Sequence, residues 1–430
     1  MSNVLIRTLP FSSRFTIGSG KELVARDYDR AQKLLQGLHP HGPAAAHEAR
    51  RRRDHHHHHK HQEGAVHEAP GSSGGGSGAG STTGSTTNSG SGAGVDVTDA
   101  SVNYNASVGV GSPATTYTLL IDTGSSNTWV GAGQKYVQTS TSQSTGDSVS
   151  VSYGSGSFSG TEYVDTVTIS PSLVIAQQSI GVASTAQGFS GVDGILGIGP
   201  VDLTSGTVSN TDTVPTVTDN LFAQGTITED SIGISFEPTT SDGQSNGELT
   251  FGGSDSTRYT GTITYTPITT TSPASNYWGI NQDVTYGQGG TTLLSGAPGI
   301  VDTGTTLLML ASDAFNAYQQ ATGATMDNTT GLLTITQEQY ANLQSLFFTV
   351  GGTTFELTAN AQIWPRSLNT TLGGNADQIY LVASSTGTAS GSGLDFINGF
   401  AFLQRFYSVF DTGNSQVGLA TTPYTDATTN

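Results

Sequence analysis

Three aspartates stand in the same tripeptide, Asp-Thr-Gly. They are Asp122 in IDTGSS (121–126), Asp302 in IVDTGTT (300–306) and Asp411 in VFDTGNS (409–415). Carboxylates of this kind invite one chemistry above others. Two of them a few ångströms apart cannot both ionise cheaply, so they share one proton. The ionised partner can then take a proton from a water molecule while the protonated one polarises an amide carbonyl, and the bond is hydrolysed without a covalent intermediate. The rest of the repertoire is thin. Residues 95–430 contain no histidine and the chain has no cysteine, which excludes a Ser-His-Asp triad, a Cys-His pair and a His or Cys zinc site from that region. No metal and no cofactor is implied.

A single DTG arises by chance in roughly one such sequence in two or three, so context must separate the copies. Those at Asp122 and Asp302 follow apolar runs (TLLI, PGIV) and lead into hydroxyl pairs, Ser125-Ser126 and Thr305-Thr306. Asp and Gly end the strand in a tight turn and leave the carboxylate at its tip. The hydroxyls there can donate to it and favour its charged form. The copy at Asp411 leads into Asn-Ser and stands 19 residues from the C-terminus. It reads as an ordinary hairpin turn between FYSVF and QVGLA.

Such turns need strands to carry them, and from Val95 onward the sequence supplies them. Alternating apolar and β-branched residues punctuated by Gly, Asn-Gly and Ser-Gly (VSVSYGSGSFSG, YVDTVTI, ELTFGG, TGTITYTPI) predict an all-β protein. Helices are expected at 313–322 (DAFNAYQQAT) and 336–347 (TQEQYANLQSLF). The pattern apolar-Asp-Thr-Gly-hydroxyl-hydroxyl recurs 180 residues apart, each copy followed by an apolar, glycine-containing strand (GILGIG, FINGFAF). Two related halves, each supplying one Asp, are therefore expected: an N-terminal lobe over 95–262 and a C-terminal lobe over 263–430.

Residues 1–70 differ in kind. Residues 1–94 hold 11 of the 15 Lys and Arg and all 10 His, leaving residues 95–430 with four basic groups against 26 acidic ones, a net of about −22. So acidic a body excludes nucleic acid as a partner and suits work in acid, where protonation relieves self-repulsion. Residues 23–38 (LVARDYDRAQKLLQGL) predict a helix. A basic run at 50–53, readable as a processing site, and a histidine run at 55–59 follow; the runs are read as a solvated stretch, with a tag or a metal-binding tract as the alternative. Residues 71–94 are Gly, Ser and Thr almost throughout, a flexible coil spanning roughly 25–30 Å. A basic segment tethered to an acidic body is the layout of a detachable pro-segment. No apolar run is long enough to cross a membrane, and the N-terminus is too short and polar for a complete signal peptide. A native signal is expected to lie outside this sequence. Sequons at Asn105, Asn328 and Asn369 are compatible with a secretory route.

The motifs together resemble the pepsin family of aspartic proteases over residues 100–423. Beyond the two DTG turns, the likeness rests on Trp129, VSYGSGSFSG (151–160), GVDGILGIGP (191–200), GELTFGG (247–253), YWGI (277–280) and FINGFAFLQRFYSVFD (396–411). The resemblance implies a bilobal all-β fold with a central cleft and a pepstatin-sensitive endopeptidase, secreted or vacuolar and monomeric, made as a zymogen. Asp122 and Asp302 would be the catalytic dyad. Thr123 and Thr303 would bond across the lobes, Ser125 and Thr305 would hold the outer carboxylate oxygens, and Gly124 and Gly304 would face the substrate backbone. Tyr153 would sit on a flap with its hydroxyl towards Trp129, Gly154 and Ser155 would bond the peptide, and Ile300 would line the substrate site. The N-terminal segment would act as an intramolecular inhibitor. Its cations, among them a lysine at the dyad that the sequence does not single out, would pair with cleft carboxylates until acid releases them, and cleavage would fall within 71–100.

Two departures stand out. Ser155 occupies the flap position where many fungal relatives that accept Lys carry Asp, which predicts weak Lys acceptance and a preference for bulky apolar residues around the cut. Asn398 stands before Gly399 where the family has an apolar residue, which predicts altered local packing. Two other readings remain open on the residues: a catalytically inactive relative that binds peptides, and a carboxylate-based glycosidase on a β scaffold.

Overall fold

The computed structural model describes residues 6–15, 18–37, 102–241 and 245–430. The basic run, the histidine run, the 71–94 linker and the expected cleavage region 71–100 lie outside the described residues.

The chain opens with strand β1 (Arg7–Phe15) and helix α1 (Gly20–Leu35), then β2 (Val102–Val110), β3 (Thr115–Asp122), β4 (Trp129–Val130), β5 (Gln143–Ser152), β6 (Ser157–Ser170), β7 (Leu173–Gln187) and β8 (Gly194–Gly197). Strands β2-β3-β8-β4-β7-β6 pair in that order and β6 pairs back to β2, closing a six-stranded barrel. Alternate residues of β3 point into it: Tyr117, Leu119 and Ile121 are buried, as the period-2 pattern requires.

Three more strands, β9 (Ser231–Phe236), β10 (Ser245–Phe251) and β11 (Thr260–Pro267), continue this sheet together with Phe406–Asp411 and Gln416–Thr421, for 13 strands in all. Strand β1 lies between β10 and β2 and sets Phe11 edge-on against Tyr104 and Phe236. The expected lobe boundary at 262/263 falls inside β11, so the halves meet through a shared sheet. The turn at Asp411 joins the last two strands as a hairpin, its carboxylate accepting from the backbone and side chain of Asn414.

The other half is an open seven-stranded sheet. Its centre is β12 (Gly279–Tyr286) and β13 (Thr291–Val301), followed by Phe396–Asn398, Leu308–Leu310 and Ala383–Ser385. Ser312–Thr322 is helical, ended by Gly323 at φ 69°, a conformation that favours glycine. The second expected helix is corrected. Only Gln337–Ala341 is helical, begun by a Thr336/Gln339 capping box. Leu346–Val350 leaves as a strand between β12 and Thr353–Leu357, because aromatic and β-branched LFFTV fits a pleated surface better than a helix. Among the described residues no helix is long and apolar enough to cross a membrane.

Burial separates the three sequons. Asn328 is exposed. Asn105 lies in β2, only 7% exposed. Asn369 is fully buried, and its amide donates to the carbonyls of Asn375, Ala376 and Gln378. The folded protein therefore has no room for a glycan on Asn369 or Asn105.

Candidate active site

Strands β3 and β13 end side by side at Asp122 and just before Asp302, and both carboxylates are fully buried. The two turns mirror each other. Gly124 N–H donates to Asp122 Oδ1 (2.9 Å) and Ser125 Oγ to its Oδ2 (2.7 Å). Gly304 N–H donates to Asp302 Oδ1 (3.1 Å) and Thr305 Oγ1 to its Oδ2 (2.6 Å). Each aspartate thus has one oxygen on a backbone N–H and the other on a hydroxyl.

The turns are locked to each other. Thr123 N–H donates to Thr303 Oγ1 (3.0 Å) and Thr303 N–H to Thr123 Oγ1 (2.9 Å), and Thr303 Oγ1 reaches across to the carbonyl of Ile121 (3.1 Å). Glycine is required because the partner aspartate stands where a side chain would begin. A Cβ on Gly124 would lie 2.7 Å from Asp302 Oδ1, and one on Gly304 would lie 2.6 Å from Asp122 Oδ1.

Above the pair, the β5–β6 hairpin carries Tyr153, whose Oη accepts from Trp129 Nε1 at 3.0 Å. Trp129 is held by stacking on Phe158 and by the edge of Phe189. Burial and the nearby charge of Asp122 push the Tyr153 phenol well up, so it stays a neutral donor. Gly154 sits at the turn and Ser155 is exposed there. Ile300 is fully buried in β13, paired with Gly279 and Ile397. Side chains the sequence did not single out line the cleft. Leu120, Phe189, Val192 and Ile195 form an apolar wall beside Tyr153 and Ser155, and Tyr277 and Asn127 stand on the other side. The alternation along β3 carries the signal for Leu120, which faces away from the barrel interior that buries Leu119 and Ile121.

Helix α1 fills the space between. It begins three residues before its expected start, capped by Ser19, whose Oγ accepts from Glu22 N–H. Its buried face reads Gly20, Leu23, Asp27, Arg30, Ala31 and Leu34, so two charged residues occupy the apolar stripe. The cation between the two aspartates is Arg30, where a lysine was expected. Its Nη2 donates to Asp122 Oδ1 (2.6 Å) and Asp302 Oδ1 (2.9 Å), and its Nε to Asp302 Oδ2 (2.7 Å). A planar guanidinium offers several donors in one fixed plane, which is why one side chain can span both carboxylates. Burial raises the Asp302 carboxyl, but the charge and hydrogen bonds of Arg30 outweigh it and hold Asp302 below the usual carboxylate value.

A turn along the helix, Asp27 Oδ2 accepts the N–H groups of Thr306 (2.9 Å) and Leu307 (2.8 Å) while Arg26 donates to Thr306 Oγ1 (2.8 Å). Tyr277 Oη donates to the carbonyl of Leu34 and Gln32 Nε2 to that of Thr386. The spacing of Asp27 and Arg30 from Leu23 and Leu34 was the available signal for a helix whose charges face inward.

Known proteins match this geometry. The family model described as eukaryotic aspartyl protease matches residues 103–422. Polyporopepsin of Irpex lacteus is 66% identical over 338 residues, 78% of this chain and 99% of that protein. Human gastricsin is 32% identical over 336 residues, 74% of this chain and 81% of that protein. A crystal structure of the aspartic proteinase from Irpex lacteus superposes with a TM-score of 0.75 at 67% identity, covering 76% of this chain and 96% of that one.

Proposed function

The chain belongs to the eukaryotic aspartyl protease family and is an aspartic endopeptidase; from that premise we propose that Asp122 and Asp302 are its catalytic pair and act at acidic pH. The observation that carries the assignment is the single nitrogen of Arg30, which reaches an oxygen of each carboxylate at 2.6 and 2.9 Å. Two carboxylates that close, once the cation has gone, share a proton. This behaviour is long established for aspartic-protease dyads and is not a finding of this structure. The ionised member takes a proton from a water molecule as that water attacks the scissile carbonyl. The protonated member donates to the carbonyl oxygen, and the proton later passes to the leaving nitrogen. Ser125 and Thr305 keep the outer oxygens fixed meanwhile.

The apolar wall of Leu120, Phe189, Val192 and Ile195 supports a preference for bulky apolar side chains around the cut, and Ser155 offers no charge for a lysine. Helix α1 supports the zymogen reading: while Arg30 spans the dyad and Asp27 ties the helix to 306–307, substrate and pro-helix compete for one volume. The acidic body and the exposed sequon at Asn328 support a secretory or vacuolar route. Digestion of casein or haemoglobin across pH, with and without pepstatin, tests the assignment. Acid-optimal cleavage blocked by pepstatin and lost in Asp122→Asn and Asp302→Asn is expected; neutral-optimal, pepstatin-insensitive cleavage would overturn it.

A further inference from the structure

Asn398, the departure beside Gly399, is fully buried and faces an equally buried Gln282 on β12 (0% and 1% exposed). The two amides bond reciprocally. Asn398 Nδ2 donates to Gln282 Oε1 at 2.9 Å, and Gln282 Nε2 donates to Asn398 Oδ1 at 3.2 Å. In sheet order β13 lies between their strands, so the pair ties the two neighbours of β13 to each other across it.

What the tie holds is the seat of Asp302. The Asn398 carbonyl accepts the Asp302 N–H at 3.1 Å, and Asn398 pairs with Val301 and Leu308 on either side of the aspartate turn. The next residues continue the grip: Phe400 and Ala401 N–H donate to the carbonyls of Thr305 and Thr306. Yet Phe396–Asn398 is only three residues long and meets β13 in two register positions. The other half needs no such device. There β3 belongs to a closed barrel, and the residue corresponding to Asn398, Leu196 opposite Ile121, is apolar. The half that carries Asp302 is an open sheet, where no ring closure fixes the spacing of adjacent strands.

We propose that the Gln282–Asn398 amide pair is a positioning element for the catalytic reaction, substituting a side-chain tie for barrel closure and fixing the height of Asp302 relative to Asp122. It rests on the assignment of Asp302 to the dyad. Neither amide touches substrate, so its removal lowers kcat and leaves KM nearly unchanged; displacing a reacting group by a fraction of an ångström costs roughly tenfold or more.

The test compares Asn398→Leu, Gln282→Met, the double variant and Gln282→Glu in the acid-active enzyme, each measured for Tm, kcat and KM. Either single variant strands a buried amide and loses Tm, as any structural role predicts. The double variant removes the unpaired groups, so it regains Tm while keeping a kcat deficit of about tenfold. Return of kcat together with Tm would show that the pair merely satisfies buried polarity and would overturn the proposal. Gln282→Glu covers the case in which the double variant does not fold. A buried carboxyl stays protonated in acid, so this variant retains both bonds and keeps wild-type kcat where Gln282→Met loses it. A deficit in Gln282→Glu as large as that of Gln282→Met would equally overturn the proposal. Undiminished activity of Asp302→Asn in the same assay would instead sink the dyad assignment itself.

Discussion

Gly154 lies so close to Arg30 that a Cβ on the glycine would stand 2.4 Å from the arginine's Cα. The flap is therefore shut on the backbone of α1, and a methyl group cannot be accommodated by turning a side chain. Gly154→Ala is expected to loosen the helix. Limited proteolysis by trypsin at pH 7 should cut after Arg26 or Arg30 sooner than in wild type, and an unchanged cleavage pattern would rule the contact out as a restraint.

Removing the guanidinium should have the larger effect. Breaking a buried ion pair by deleting one partner costs roughly 3–5 kcal/mol, so Arg30→Met is expected to raise the undocked fraction of α1 by about two to nearly four orders of magnitude. The sign with pH follows from Asp302. Its carboxyl is held below the usual value while α1 is docked. The undocked pair keeps its shared proton, so docking strengthens as pH rises and is lost as pH falls towards the lowered value. Self-processing, followed by gel mobility, should start only in acid for wild type and at clearly higher pH for the variant.

A second acid dependence sits far from the dyad. Glu162 is 2% exposed, accepts from Ser179 Oγ and leaves Oε2 without a partner. Burial pushes its carboxyl up to about 7. A raised carboxyl is neutral in the folded protein while the unfolded chain ionises, so stability is lost as pH rises from about 4.5 to 7, by roughly 3 kcal/mol. Glu162→Gln should flatten this slope. Thermal unfolding at pH 4 and pH 7 reads it, and an undiminished gap between the two Tm values would dismiss Glu162 as its source.

One glycan is expected, at Asn328. Asn328→Gln should abolish the mass shift of protein secreted from a eukaryotic host, whereas Asn105→Gln and Asn369→Gln should leave it. Asn369→Gln should also destabilise the fold, because three carbonyls lose their donor.

Much of this was legible in the residues. The two DTG turns, their hydroxyls and the flap sequence sit on strands whose period-2 pattern is strong, and short-range chemistry settles such turns. The Asp411 copy was separable for the same reason: its Asn-Ser sequel makes a hairpin. What escaped depends on long-range packing. Phe347 belongs to a strand because two neighbouring strands claim it, which local propensity does not record. Arg30 could not be singled out because its partners lie 92 and 272 residues away. Asn398 was visible as an oddity, though nothing nearby pointed to Gln282.

The continuity of the 13-stranded sheet depends on a piece of chain that the proposed maturation removes. Strand β1 is the link between β10 and β2, so release of residues 1–70 takes out the main-chain ladder there as well as the helix over the aspartates. The reciprocal threonine bonds remain to pin the two turns to each other. One maturation step then does two things at once, emptying the cleft and unlinking the barrel from the rest of the sheet.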